Sequence, residues 1–205
     1  MELKTHIIQE ADKLFELYGF KSVTMDDIAK HLGISKKTIY QNFNDKNELV
    51  KLLIKDRLAN LKCINAERSE KAQNAVEEIY LSIQEIKKSV KNLNHKLFFE
   101  LQKYHPQAWQ LLNEYKQKSI YADIVSNLNR GLAEGLYRPE LNVEVIAQVR
   151  MNQINMIFNR SEQILESNLN LSQVLQEISL HFLYGVCNEK GHKLIQQLNA
   201  QIEEQ

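Results

Sequence analysis

Apolar residues recur at three- and four-residue spacings through nearly the whole chain, the pattern of helices that pack by one face. Ile7, Ile8, Ala11, Leu14, Phe15 and Tyr18 predict a first helix ending at Gly19. Met25, Ile28, Ala29 and Leu32 form a second stripe. Thr24 stands where its hydroxyl can cap the N–H of Asp26 or Asp27, and the two acids suit the helix dipole. Gly33 tolerates the left-handed backbone of a helix end, and Ser35 can cap the next helix three residues before Thr38. In that helix Ile39 and Phe43 stand four apart and face the core. So short a turn forces the two helices to cross steeply.

Asp45 followed by Glu48 is a capping box for a fourth helix, running from Lys46 through Leu49, Leu53, Ile54 and Leu58 toward Leu61. Residues 62–75 are polar and mark a joint between modules, which the fourth helix bridges. Further stripes predict helices over 72–90, broken by Asn92 and Asn94, over 95–104, and from Pro106 to about 135. Behind Asn142 comes a helix over 143–165, and behind Asn170 or Ser172 one over 171–188. From Gly191 onward, Leu194, Leu198 and Ile202 leave two outcomes, a short helical tail or a frayed end. The helices over 143–165 and 171–188 carry apolar residues on more than one face, among them Val145, Ile146, Val149, Ile154, Val174, Ile178 and Phe182. Two copies packed as a four-helix bundle would bury the second face, with Gly185 allowing close approach.

Composition sharpens this into an all-α fold: 205 residues hold 6 Gly and 2 Pro, helix formers are common, and no stretch alternates like a strand. A length of 205 residues admits a small module and a larger one. We divide them as residues 1–45, a three-helix module, and 46–205, a larger helical module; the residues read below make the first the expected DNA-binding domain and the second the expected ligand-binding and dimerisation domain. Lysine plus arginine equals aspartate plus glutamate at 26 each, which argues against indiscriminate coating of nucleic acid. Between Lys21 and Lys46, however, five lysines stand against three acids, a modest patch suited to site-specific binding.

The recognition surface lies opposite Ile39 and Phe43: Lys37, Thr38 and Gln41, flanked by Lys36 and Tyr40. Two lysines, a hydroxyl, an amide and a phenol at a helix start can hold phosphates and reach base edges in a major groove, the helix-turn-helix arrangement. Lys46, in the first turn of its helix, is a cation whose fitting partner there is a phosphate.

Residues 18–49, YGFKSVTMDDIAKHLGISKKTIYQNFNDKNEL, resemble the N-terminal DNA-binding segment of the TetR (tetracycline-repressor-like) family position by position. Tyr18-Gly19-Phe20, Thr24, Ile28-Ala29, Gly33-Ile34-Ser35, Thr38, Ile39-Tyr40, Phe43, Lys46 and Glu48-Leu49 carry the likeness. It is specific over about the first 55 residues and architectural beyond them. Lys37 stands where that family often has glycine, and Gln41 and Asn42 where an aromatic and a histidine are frequent; these departures bear on which DNA sequence is read. The resemblance implies a homodimeric regulator, a repressor released from a palindromic operator by a small molecule. It also implies that Thr24, Lys36, Tyr40 and Lys46 hold phosphates while Lys37, Thr38 and Gln41 face bases.

A dense aromatic group, Phe98, Phe99, Tyr104, Trp109, Tyr115 and Tyr121, is the candidate effector site, an aromatic-lined hollow between helices. Cys63 and Cys187 lack metal spacing and read as buried or idle thiols in a reducing compartment. Six scattered histidines offer no metal pair. No leader or apolar run of membrane length is present, so the expected location is the cytoplasm, without membrane contact. No catalytic motif or cofactor fingerprint occurs, so neither enzyme activity nor a cofactor is expected. A filled second domain would favour the alternative, a DNA-binding dimer controlled without a ligand or by another protein.

Overall fold

The computed structural model describes residues 2–90, 96–159 and 171–203. Eleven α-helices follow one another among them: α1 Leu3–Tyr18, α2 Met25–Leu32, α3 Lys36–Asn42, α4 Lys46–Lys71, α5 Ala75–Val90, α6 Lys96–Tyr104, α7 Pro106–Tyr115, α8 Tyr121–Ala133, α9 Val143–Asn159, α10 Leu171–Val186 and α11 Glu189–Glu203. A π-helical turn, Lys116–Ile120, joins α7 to α8 where one long helix was expected, and the buried Lys116 opens it. A lone antiparallel bridge, Tyr137 to Cys187, is the extended pairing among the described residues.

The chain divides into two compact units, Met1–Leu61 with Leu93–Tyr115, and Lys62–Asn92 with Lys116–Gln205. In the first, Ile7, Ala11, Phe15, Ile28, Ile39, Phe43 and Leu49 are fully or almost fully buried. The Phe15 and Phe20 rings lie 4.9 Å apart. Each of the Ile, Leu and Phe side chains among them contributes roughly 1.5–3 kcal/mol on burial. The start of α4 belongs to this unit because Arg57 reaches back to α1, donating to Asp12 at 3.0 Å and Glu16 at 2.6 Å. The boundary drawn at residue 45 from sequence therefore lies inside the unit.

The polar stretch from 62 onward does not end α4, which continues to Lys71. Its residues are good helix formers without Gly or Pro, so their polarity marks a solvated face. The joint is only Ala72 to Asn74, and Arg130 of α8 and Glu134 just after that helix fasten it. Arg130 donates to the Ser69 and Ala72 carbonyls at 3.1 and 2.8 Å, satisfying acceptors that a helix end leaves open. Glu134, one turn on, accepts the Ala75 N–H at 2.8 Å at the start of α5 and pairs with Arg130 at 2.7 Å.

The second unit centres on Ala75, Val76, Leu128, Tyr137, Ala147, Leu183 and Ile195. A buried polar thread runs through it: the Tyr137 hydroxyl donates to Asn127 at 2.8 Å, and Asn127 donates to the Ala75 carbonyl and to Glu78 at 3.0 Å each. The tail is a full helix, because Ile195 enters the core and Asn199 accepts a 2.8 Å bond from Tyr80. Arg150 is buried. It donates to Ser179 at 2.7 Å and the Ile178 carbonyl at 3.2 Å, with its guanidinium over the Phe182 ring. It thus ties α9 to α10, and burial lowers its pKa to about 10. The expected helix ends beyond 159, Asn170 as a cap, and Asn92 and Asn94 lie outside the described residues.

Candidate nucleic-acid interface

Local sequence explains the helix pair that carries the interface. Thr24 forms a reciprocal cap: its hydroxyl accepts the Asp27 N–H at 3.2 Å while the Asp27 carboxylate accepts the Thr24 N–H at 2.9 Å. The Thr24 hydroxyl, donating to that carboxylate at 2.6 Å, and then the Thr24 N–H hold the Asp27 carboxyl below its ordinary range. Gly33 adopts φ 64°, the left-handed turn between α2 and α3. Ser35 caps α3, its hydroxyl accepting the Thr38 N–H at 3.0 Å.

Ile39 and Phe43 are buried, which turns the rest of α3 outward. Lys36, Lys37, Tyr40 and Gln41 are exposed, while Thr38 is half-buried with its hydroxyl 2.8 Å from that of Ser35. Asn42 donates to the Thr38 carbonyl at 2.8 Å, bracing the last turn. Thr24 is also exposed, at the head of α2.

Two expected phosphate cations are already engaged. Lys36 donates to Asp26 at 2.9 Å, and that carboxylate raises the lysine pKa. Lys46 departs further from the outward placement that sequence suggested. Its ammonium donates to the Phe20 carbonyl and stands over the Phe15 ring, half-buried inside the unit. Desolvation lowers its pKa against the opposing pull of Glu100 and Asp27. At the head of α4, Asp45 accepts the Glu48 N–H at 2.8 Å while Glu48 accepts the Asn44 N–H.

Sequence gave no notice of what α6 and the start of α7 do here. Glu100 accepts the Lys21 N–H at 2.9 Å. His105 is buried, its Nδ1 2.7 Å from Asn47 Oδ1 and its ring edge-on to Phe20 at 5.6 Å. Lys51 donates to Gln107 at 3.3 Å. No local signal marks these residues, because their partners lie 56 to 79 positions away.

The aromatic candidates differ in exposure and in the unit that holds them. Phe99 and Tyr104 are exposed, with Lys103 over both rings at 5.3 and 5.5 Å. Phe98, Trp109 and Tyr115 are half-buried in the first unit. Tyr121 packs on the core of the second. Cys63 is exposed and Cys187 buried, its thiol pushed up to about 12 by burial. Among the described residues no helix is long and apolar enough to cross a membrane.

A capped pair of crossed helices, presenting a short second helix whose exposed face is lysine, phenol and amide, defines a helix-turn-helix DNA-binding transcriptional regulator of all-α fold. Residues 7–53 match the family described as bacterial regulatory proteins, tetR family. The chain is 28% identical over 173 residues, 84% of its length and 89% of the relative's, to the uncharacterized HTH-type transcriptional regulator YvaF of Bacillus subtilis. It is 32% identical over 77 residues, 36% of its own length and 41% of the relative's, to IcaR of Staphylococcus aureus, a negative transcriptional regulator of the biofilm operon icaADBC. The fold is shared with the transcriptional regulator FadR of Bacillus subtilis, solved in complex with stearoyl-CoA. That likeness has a TM-score of 0.67 at 20% identity and covers 89% of this chain and 98% of that one. Over residues 7–53 the chain is thus similar to the DNA-binding segment of the tetR family, and beyond them it shares the fold of solved regulators of that kind.

Proposed function

We propose that the protein is a homodimeric repressor that reads an inverted repeat through α3 and is released by a small-molecule effector. The observation that carries this reading is the outward face of α3, where Lys37, Tyr40 and Gln41 stand exposed on a helix fixed by the Ser35 cap and buried Ile39. Gln41 suits adenine and Lys37 suits guanine, while Thr24, Lys36 and Tyr40 suit phosphates. Dimerisation is supported by α9, on which Val145, Val149 and Met156 remain exposed at near-heptad spacing. A second copy of the chain would cover that seam.

Release by an effector is supported by the FadR structure with its bound stearoyl-CoA, a property of that protein which we extend to this chain as part of the proposal. The helix α4 runs unbroken across the boundary between the two units and offers a route for coupling. The exposure of Phe99 and Tyr104 favours a second reading, in which these aromatics hold no ligand and regulation is independent of one.

The test of DNA reading titrates variants against the duplex that the wild type selects from a random pool. Gln41→Ala is expected to cost about 1–3 kcal/mol and to relax preference at one base pair per half-site. An unchanged preference would remove α3 as the reader.

A further inference from the structure

Glu100 lies on α6, far along the chain from the helix-turn-helix, yet its carboxylate sits at the turn that joins α1 to α2. One oxygen accepts the Lys21 N–H at 2.9 Å. The close approach depends on Gly19, which ends α1 at φ 85°: a Cβ there would meet the two Glu100 oxygens at 2.8 and 3.2 Å. Between these two residues, the Phe20 carbonyl accepts from Lys46 at the head of α4, and the Phe20 ring packs on His105 just beyond α6. Phe20 is thus held by Lys46 of α4 and by His105, while Glu100 of α6 packs against Gly19 and supplies the bond to Lys21.

We infer that Glu100 is a positioning residue for DNA reading: it holds the Gly19–Lys21 turn, and through it the start of α2, in the register that presents α3. The inference rests on the proposed DNA-reading role of α3. Geometry gives it a definite sign. A carboxylate near a DNA-binding face repels phosphates, so removing one that served only as charge would strengthen binding. Removing one that holds the reading helices in place weakens binding instead.

The test compares the full-length wild type with Glu100→Ala and Glu100→Gln, using the duplex that the wild type selects from a random pool and hydrogen exchange at the Lys21 amide. Glu100→Ala is expected to bind about tenfold more weakly, the scale of one lost charge-assisted hydrogen bond. Its dependence on salt should stay unchanged, because no phosphate contact is removed. The Lys21 amide should exchange faster. Glu100→Gln keeps an acceptor oxygen and the side-chain volume, and should recover most of the affinity. Tighter binding by Glu100→Ala overturns the inference, as does a loss that merely follows the folded fraction in thermal unfolding. A wild type that selects no duplex overturns the DNA-reading proposal beneath it. The Lys21 exchange rates tell that failure from the first, since they report on the turn without DNA.

Discussion

Asp26 governs how much positive charge on α3 is free to meet a phosphate, since its carboxylate already holds Lys36 at 2.9 Å. Both side chains are well exposed, so the pair adds little to folding and acts on binding. Asp26→Asn is expected to strengthen binding to any duplex and to steepen the salt dependence by about one ion, read from affinity measured across a salt series. An unchanged slope would mean that Lys36 reaches no phosphate. His105 makes a prediction in pH. Burial pushes its pKa below the ordinary histidine value, with Lys46 adding to the shift and Glu100 and Asp45 opposing it. The unfolded chain therefore takes up this proton first as pH falls. The stability that His105 contributes is whole above about pH 6.5 and is lost as pH drops toward the folded pKa. Thermal unfolding between pH 8 and 5 should show this decline in the wild type and a flatter profile in His105→Gln.

At the scale of elements, caps and stripes were legible because they are local: Thr24 with α2, Ser35 with α3 and Asn142 with α9 each bond within three residues. What stayed hidden is non-local. The inward turn of Lys46 depends on a carbonyl 26 positions away, and the hold of Arg130 and Glu134 on the joint after α4 spans about sixty. The π-helical turn at Lys116 has no periodic signature of its own, since a single slipped turn leaves the stripes on either side intact. Packing that spacing cannot show also decides Gly131. A Cβ there would stand 2.2 Å from the Tyr137 ring. Gly131→Ala should push that ring away from its bond to Asn127 and destabilise the second unit by about 1–3 kcal/mol, the usual scale of overpacking. Denaturant unfolding checks this, and a loss below about 0.5 kcal/mol would show that the ring yields freely.

For the whole molecule the central claim is that two copies, joined through surfaces such as the Val145–Val149 seam, present two α3 helices to one duplex. One α3 exposes few base-reading side chains, so specificity at useful affinity needs both copies. The most direct measurement is selection of bound duplexes from a random library by the full chain, with the mass of the bound species determined alongside. The account predicts enriched sequences with two inverted half-sites, their centres about 34–36 Å apart or a multiple of that, bound by two chains or an even number of them. A single asymmetric site bound by one chain, or no enrichment at all, would contradict it.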